Sequence, residues 1–405
     1  LFGLVVIGAA CGQPAEAPAP LVQQQLFLRS ARGVTVASTS DTSEPTYSST
    51  DAVPSGDWST AVGARVHKNL TTLVASDPTT GRSLWERNLD GQLQVKVVSY
   101  HGDRVALGPT TEWHHTQGRR RTDLVIVASN GYAPVQTLSL EGNYEPEAFS
   151  SDGHDLFVIE YLPAMQPTHY RVRSLDLTTG EVGGVYTVDE ELQDSMRGTA
   201  RVQAMAPDGG RLYTLYTERS GGEQHSFVHV LSLDEKWAHC VDLPEGFADA
   251  AETATALTLS DDGKRLFVAN SVTDEVAEVD TEQLTVVADD PAPFADDTGT
   301  KKSHDTHAAH DGDHLFLAHE YGLASVDAST FEAQKEWMLD EPITGLQLSA
   351  DGEQLFVGQK DEVVVLDIGT GEEITTIDPP GIGDIDVLGQ TTEAIELLGG
   401  YKCGC

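Results

Sequence analysis

Short runs of alternating apolar and polar residues, broken by Gly, Asp and Asn, fill most of the chain. Period-two alternation is the pattern of half-buried β-strands. Only one stretch, Asp189 to Met196, has a helical look, and it falls in a connection.

One phrase recurs: an alternating strand, a tight turn with Asp and Gly, then a strand opening on a polar residue and two large apolar ones. It reads Leu257-Thr-Leu-Ser-Asp-Asp-Gly263-Lys-Arg-Leu-Phe-Val-Ala-Asn270. Further copies turn at Gly153, Gly209, Gly312 and Gly352, and weaker ones at Trp58, Gly102 and Thr391. Two more strands follow in each unit, as in Glu362-Val-Val-Val-Leu-Asp367 and the run after Gly371. The Asp-x-x-Thr-Gly between them is hairpin chemistry, in which Gly supplies positive φ and Asp bonds nearby backbone.

Four short strands per unit of forty-odd residues, with almost no helix, predict an all-β fold, a β-propeller of four-stranded antiparallel blades. A lone blade cannot cover both of its faces, whereas radial packing lets each blade cover its neighbours. Seven complete units and one split between the chain ends give eight blades, although seven is the commoner number. The strands around Leu26-Phe-Leu and Gly33-Val-Thr-Val lack an inner partner, and Gly383-Asp-Ile-Asp-Val-Leu388 is predicted to supply it.

The first residues read as an address. The apolar run Leu1 to Ala10 ends in Gly8-Ala9-Ala10-Cys11, which resembles a bacterial lipobox. That resemblance implies a lipidated Cys11 and an extracytoplasmic protein anchored to a bacterial membrane. Gly8 stands where Leu is usual, and the chain begins without Met or a basic segment. The Pro- and Ala-rich stretch after Cys11 is an extended tether. The expected organisation is therefore signal and lipobox over 1–11, tether over 12–22, a single propeller over 23–398 and a tail over 399–405. Cys240 falls in a strand pattern and is expected in the core, while Cys403 and Cys405 belong to the tail.

Charge narrows the partners. The 405 residues include 25 Lys and Arg against 64 Asp and Glu, a net −39. Such a surface repels nucleic-acid phosphates, so a protein, a glycan or a small ligand is expected, with membrane contact through the lipid anchor alone.

Phe267-Val-Ala-Asn270 followed by Asp274-Glu-Val-Ala-Glu-Val-Asp280-Thr resembles the YVTN family of β-propeller repeats. The likeness is fair at Gly153, Gly312 and Gly352 and loose elsewhere. It implies a secreted or surface-layer propeller of the quinoprotein-like kind. Asp77-Pro-Thr-Thr-Gly81-Arg-Ser-Leu-Trp85 looks like one pyrroloquinoline-quinone-type repeat, with Trp85 packed between blades.

Ligands of propellers usually bind where the inner strands begin. The position eight residues before each turn marker gives Thr50, Gln94, Glu145, Arg201, Thr255, His304, Thr344 and Gly383. All but Gly383 are polar, which suits either a binding ring (Gln94, Glu145, Arg201, Thr255, His304, Thr344) or the wetted wall of a funnel. One unit holds His304, His307, His310, His314 and His319. With a turn at His310–Asp313, His304 and His319 become cross-strand neighbours about 4.5–5.5 Å apart at Cβ. A divalent metal is the cofactor that pair would take, with Asp305 or Glu320 completing the site or orienting an imidazole. The alternative is a His-rich, solvated blade edge.

Two functional classes remain. One is a binding or scaffold protein with its ligand at the channel mouth. The other is an enzyme: related propellers open lactones, and Glu145, Arg201 and His304 would supply base, oxyanion support and proton transfer. No Gly-x-Ser-x-Gly elbow, phosphate loop or zinc-protease helix is present.

Overall fold

A computed structural model describes residues 20–30, 33–39, 44–110, 117–129, 133–188, 192, 195–220, 223–247, 254–291, 294, 306–360, 362–378 and 385–390. They form an eight-bladed all-β propeller. Blade 1 combines Gln25–Ser30, Gly33–Ser38 and Tyr47–Ser49 with Ile385–Gln390. Blades 2 to 8 then follow in chain order, beginning at Ala52, Leu93, Asn143, Thr199, Thr255, Thr306 and Gly345. Six of these are four-stranded, and blade 5 gains a fifth strand, Tyr186–Thr187, on its outer edge. In blade 1 the inner position is held by Ile385–Gln390, antiparallel to Gln25–Ser30.

The recurring phrase builds one turn. In blade 8, Ser349 Oγ donates to Asp351 Oδ1 at 2.6 Å and accepts from Gln354 N at 2.9 Å. Asp351 Oδ1 also takes the amide of Glu353 at 3.1 Å, and Gly352 at φ +72° makes the reversal. Ser150 and Ser260 repeat the arrangement with Asp152 and Asp262. In blade 2 Trp58 occupies the glycine position at φ 53°. Such a conformation costs a residue with a Cβ about 1–2 kcal/mol. Burial offsets it, since Trp58 is 3% exposed and its ring lies 4.6 Å from that of Phe27. At the outer hairpins Asp77, Asp176, Asp280 and Asp327 each accept two successive backbone amides.

The strand after each turn is buried on both faces, so its residues serve two neighbours alternately. Leu266 and Val268 pack toward blade 5, whereas Phe267 and Ala269 pack toward blade 7. Every Leu-Phe-Val copy therefore contributes to two interfaces, each large side chain giving about 1.5–3 kcal/mol by burial. Trp85 packs the same way, against Val62 and Leu73 of its own blade and Val105 and Leu107 of the next. Leu26, Leu28 and Ala37 of blade 1 pack on Phe356, Val363 and Val365 of blade 8.

Three local expectations change. Blade 7 lacks the turn serine: Ala309 stands nearby, and the Asp311 carboxylate captures the amides of Asp313 and His314 instead. The register moves by two residues, so His319 faces Thr306 rather than His304. His304 itself lies outside the described residues, as do Cys11, Cys403 and Cys405. Within the stretch read as helical, Leu192 and Met196 make isolated bridges to Tyr186 and Tyr170. Cys240 is exposed on an outer strand, not in the core; the strand Trp237–Asp242 buries Ala238 on one face and Val241 on the other. The only helix among the described residues is the 3-10 turn Glu245–Phe247. No described helix is long and apolar enough to cross a membrane.

Candidate functional site

The inner strands of blades 3, 4 and 5 each carry one residue too many. Pairing slips between Val95 and Val97, between Pro146 and Ala148, and between Ala200 and Val202. A β-bulge leaves its extra residue out of the ladder and re-aims its side chain. The three extra residues are Lys96, Glu147 and Arg201, all ionisable. Blades 6, 7 and 8 have inner strands with unbroken register.

The first two bulge residues reach across to the next blade. Lys96 Nζ lies 3.0 Å from Glu145 Oε1 of blade 4. Glu145 is held from the other side by Arg119, whose Nη2 is 3.1 Å from Oε2 and also donates to the Tyr144 carbonyl. Arg119 sits on a loop tied to the Ala164 carbonyl of blade 4. Glu147 accepts a hydrogen bond from Gln203 Nε2 of blade 5, and the same nitrogen is 3.1 Å from Thr214 Oγ1. Arg201 turns back on its own blade, with Nε donating to Thr217 Oγ1 at 2.7 Å.

Glu147 and Gln203 stand in the wall of a cavity of about 250 Å³ between blades 4 and 5. Its rim comes from the Pro167–Tyr170 segment and from Arg197–Ala200, at the end where the inner strands begin. Its apolar side is an aromatic row. Tyr161 and Tyr170 have ring centroids 6.1 Å apart, Tyr170 and Tyr216 5.8 Å, and Tyr216 stacks on Phe227 at 5.5 Å. Burial, with the Glu145 charge nearby, pushes the Glu147 carboxyl up to about 7, against the Gln203 hydrogen bond that favours ionisation. Behind Tyr216, burial pushes the His229 imidazole down to about 4, so it is neutral near pH 7.

At the opposite end, Tyr100 of the blade 3 turn donates its hydroxyl to the Pro207 carbonyl of the blade 5 turn. Its backbone carbonyl takes the amide of Asp57 in blade 2. Burial and the Asp57 and Asp208 carboxylates push the phenol up to about 12, so it stays a donor. Tyr100 thus ties turns of three blades together, through its hydroxyl and its backbone carbonyl.

Of the residues expected at the mouth, Gln94, Glu145, Arg201 and Thr255 lie in inner strands, and Thr344 immediately precedes one. Thr50 is exposed between two strands, and His304 and Gly383 lie outside the described residues. Counting back from the turn passes through the bulges of blades 3 to 5 but not through blade 6. Thr255 is buried, whereas Glu145 is only partly so. Glu145 and Arg201 are each engaged by other side chains and do not line the cavity. Sequence reasoning missed Glu147, Gln203 and the tyrosines. A signal was present in Pro146, because proline inside a strand marks an edge or a bulge. His319 lies at its strand end, with Phe294 edge-on at 6.4 Å. Among the described residues no three His, Cys, Asp or Glu side chains gather as a metal set.

No family model and no curated protein sequence matches the chain. Solved propellers do match in shape. The dihydro-heme d1 dehydrogenase NirN, solved in complex with DHE, superposes with a TM-score of 0.53 at 12% identity, over 94% of this chain and 77% of that one. AztD from Citrobacter koseri in its apo form gives 0.52 at 13% identity, over 93% of this chain and 100% of that one. At these identities the likeness is one of fold.

Proposed function

We propose that this chain is an extracytoplasmic propeller, anchored through lipid on Cys11, that binds a small ligand at its mouth. The observation that carries the reading is the cavity between blades 4 and 5. It is concave, largely apolar, and holds a few directed polar groups on rigid strands, which is the usual composition of a small-molecule site. The Tyr100 tie at the other end favours access from the mouth. A propeller of similar shape, NirN, has been solved in complex with DHE. The lipobox-like Gly8-Ala9-Ala10-Cys11 and the Pro-rich tether support the anchor, and the YVTN-like repeat supports a surface setting.

The test has two arms. The full chain, screened by thermal shift against a metabolite library, is expected to give hits that vanish in Gln203→Ala and Tyr170→Leu. Hits that persist in both variants would move the site elsewhere, and turnover of lactones lost in Glu145→Gln would establish the hydrolase instead. For the anchor, radiolabelled palmitate is expected to enter the protein in bacteria and to be absent from Cys11→Ser.

A further inference from the structure

We infer that the cavity between blades 4 and 5 is a receptor for a compact organic cation, an alkylammonium group held between the Glu147 carboxylate and the tyrosine wall. The inference rests on the reading of this cavity as the ligand site and names its ligand class.

Three observations converge on a cation. Tyr161, Tyr170 and Tyr216 line one continuous side of the cavity. Aromatic faces attract cations through their ring quadrupole, by about 0.5–1 kcal/mol each when exposed and about 2 when desolvated. Tyr216 is 4% exposed and stacked on Phe227, so the more open Tyr161 and Tyr170 carry most of this attraction. Glu147 and Gln203 stand in the same wall, and the carboxylate is the group that meets an ammonium charge. The surrounding protein, at net −39, raises the local concentration of cations over anions.

The groups facing Glu147 fix the sign of the pH effect. Glu145 lies two residues away on its own strand, already paired with Lys96 and Arg119. Gln203 comes from blade 5, Tyr161, His169 and Tyr170 from blade 4, Tyr216 from blade 5 and Arg197 from the rim. Arg197 is exposed, where water and salt screen its charge. Without a ligand the desolvated carboxyl holds its proton up to about pH 7. A cation binds the ionised form, so binding expels that proton below this pH and proceeds without the cost above it.

The experiment is calorimetric titration of the full chain with choline and with tetramethylammonium, at pH 6 and pH 8, beside neutral neopentyl alcohol as a shape control. The expected result is millimolar or tighter binding of both cations at pH 8, weaker by about tenfold at pH 6, with no binding of the alcohol. Glu147→Gln keeps the Gln203 hydrogen bond and removes the charge, and is expected to lower affinity at least tenfold and abolish the pH effect. Tyr161→Leu lies outside the densest packing and is expected to weaken binding about threefold to tenfold. Circular dichroism establishes that each variant is folded. Equal binding of the alcohol and the cations, or cation binding unchanged in Glu147→Gln, overturns the inference while leaving a ligand site at the mouth. Absence of any binding by choline at pH 8, while the metabolite screen gives neutral or anionic hits sensitive to Gln203→Ala, also overturns it. Absence of both removes the site as well.

Discussion

Blades 3 to 5 and blades 6 to 8 are built from the same repeat and differ in how faithfully they keep it. In blades 6 to 8 the inner strands pair without interruption. In blades 3 to 5 each inner strand holds an extra ionisable residue, and two of these residues reach across to the next blade. The cavity lies in the irregular part. Departures from the repeat free side chains for chemistry.

The largest effect that separates the two regions is expected at one glycine of the turn. A Cβ on Gly209 of blade 5 would sit 2.5 Å from the Tyr100 ring at φ +73°, whereas one on Gly352 of blade 8 meets nothing within 4 Å at φ +72°. Both substitutions to Ala incur the conformational cost of about 1–2 kcal/mol, and Gly209→Ala adds roughly 1–3 kcal/mol of overpacking. Denaturant melts of the two variants measure the gap. Equal losses would mean that Tyr100 yields and that the tie across the three turns is weak.

Next comes Glu147. Its folded value lies above the ordinary glutamate value, so the folded state binds more protons between the two and stability falls as pH rises through about 7. Glu147→Gln is expected to stabilise the protein at pH 8 by roughly 1–3 kcal/mol and to change little at pH 5. Thermal denaturation at the two pH values reads the difference.

Smaller effects probe the regular side. Ser260→Ala in blade 6 strips Arg265 N of its acceptor and should cost about 1–2 kcal/mol in a urea melt. Blade 5 carries Ala206 at the equivalent place, so it has no such bond to lose. Least of all, Lys96→Met is expected to lower stability by less than about 1 kcal/mol, the usual worth of a partly exposed ion pair. A loss of several kcal/mol would show that the Lys96–Glu145–Arg119 group acts as a buried network.

The same contrast explains what could be read from the sequence. The Ser-x-Asp-Gly turn is a local device: its serine, aspartate and glycine all lie within six residues, so the pattern predicts the hairpin and, by repetition, eight blades. A bulge is different. It depends on which residue of the neighbouring strand is faced, and that pairing is set by tertiary packing, so counting back from the turn reached Glu145 and passed over Glu147. In blade 7 a missing serine hydroxyl moved the register by two residues and with it the partner of His319. The tyrosine row joins residues 161, 170 and 216 across two blades, a proximity that spacing along the chain does not express.

The account depends on the blade 4 bulge setting one carboxyl in a desolvated aromatic cavity. Infrared difference titration of the full chain against Glu147→Gln reports that carboxyl directly. A protonation midpoint near pH 7 is the expected result; a midpoint near the ordinary glutamate value of about 4.3 would place Glu147 in water and contradict it.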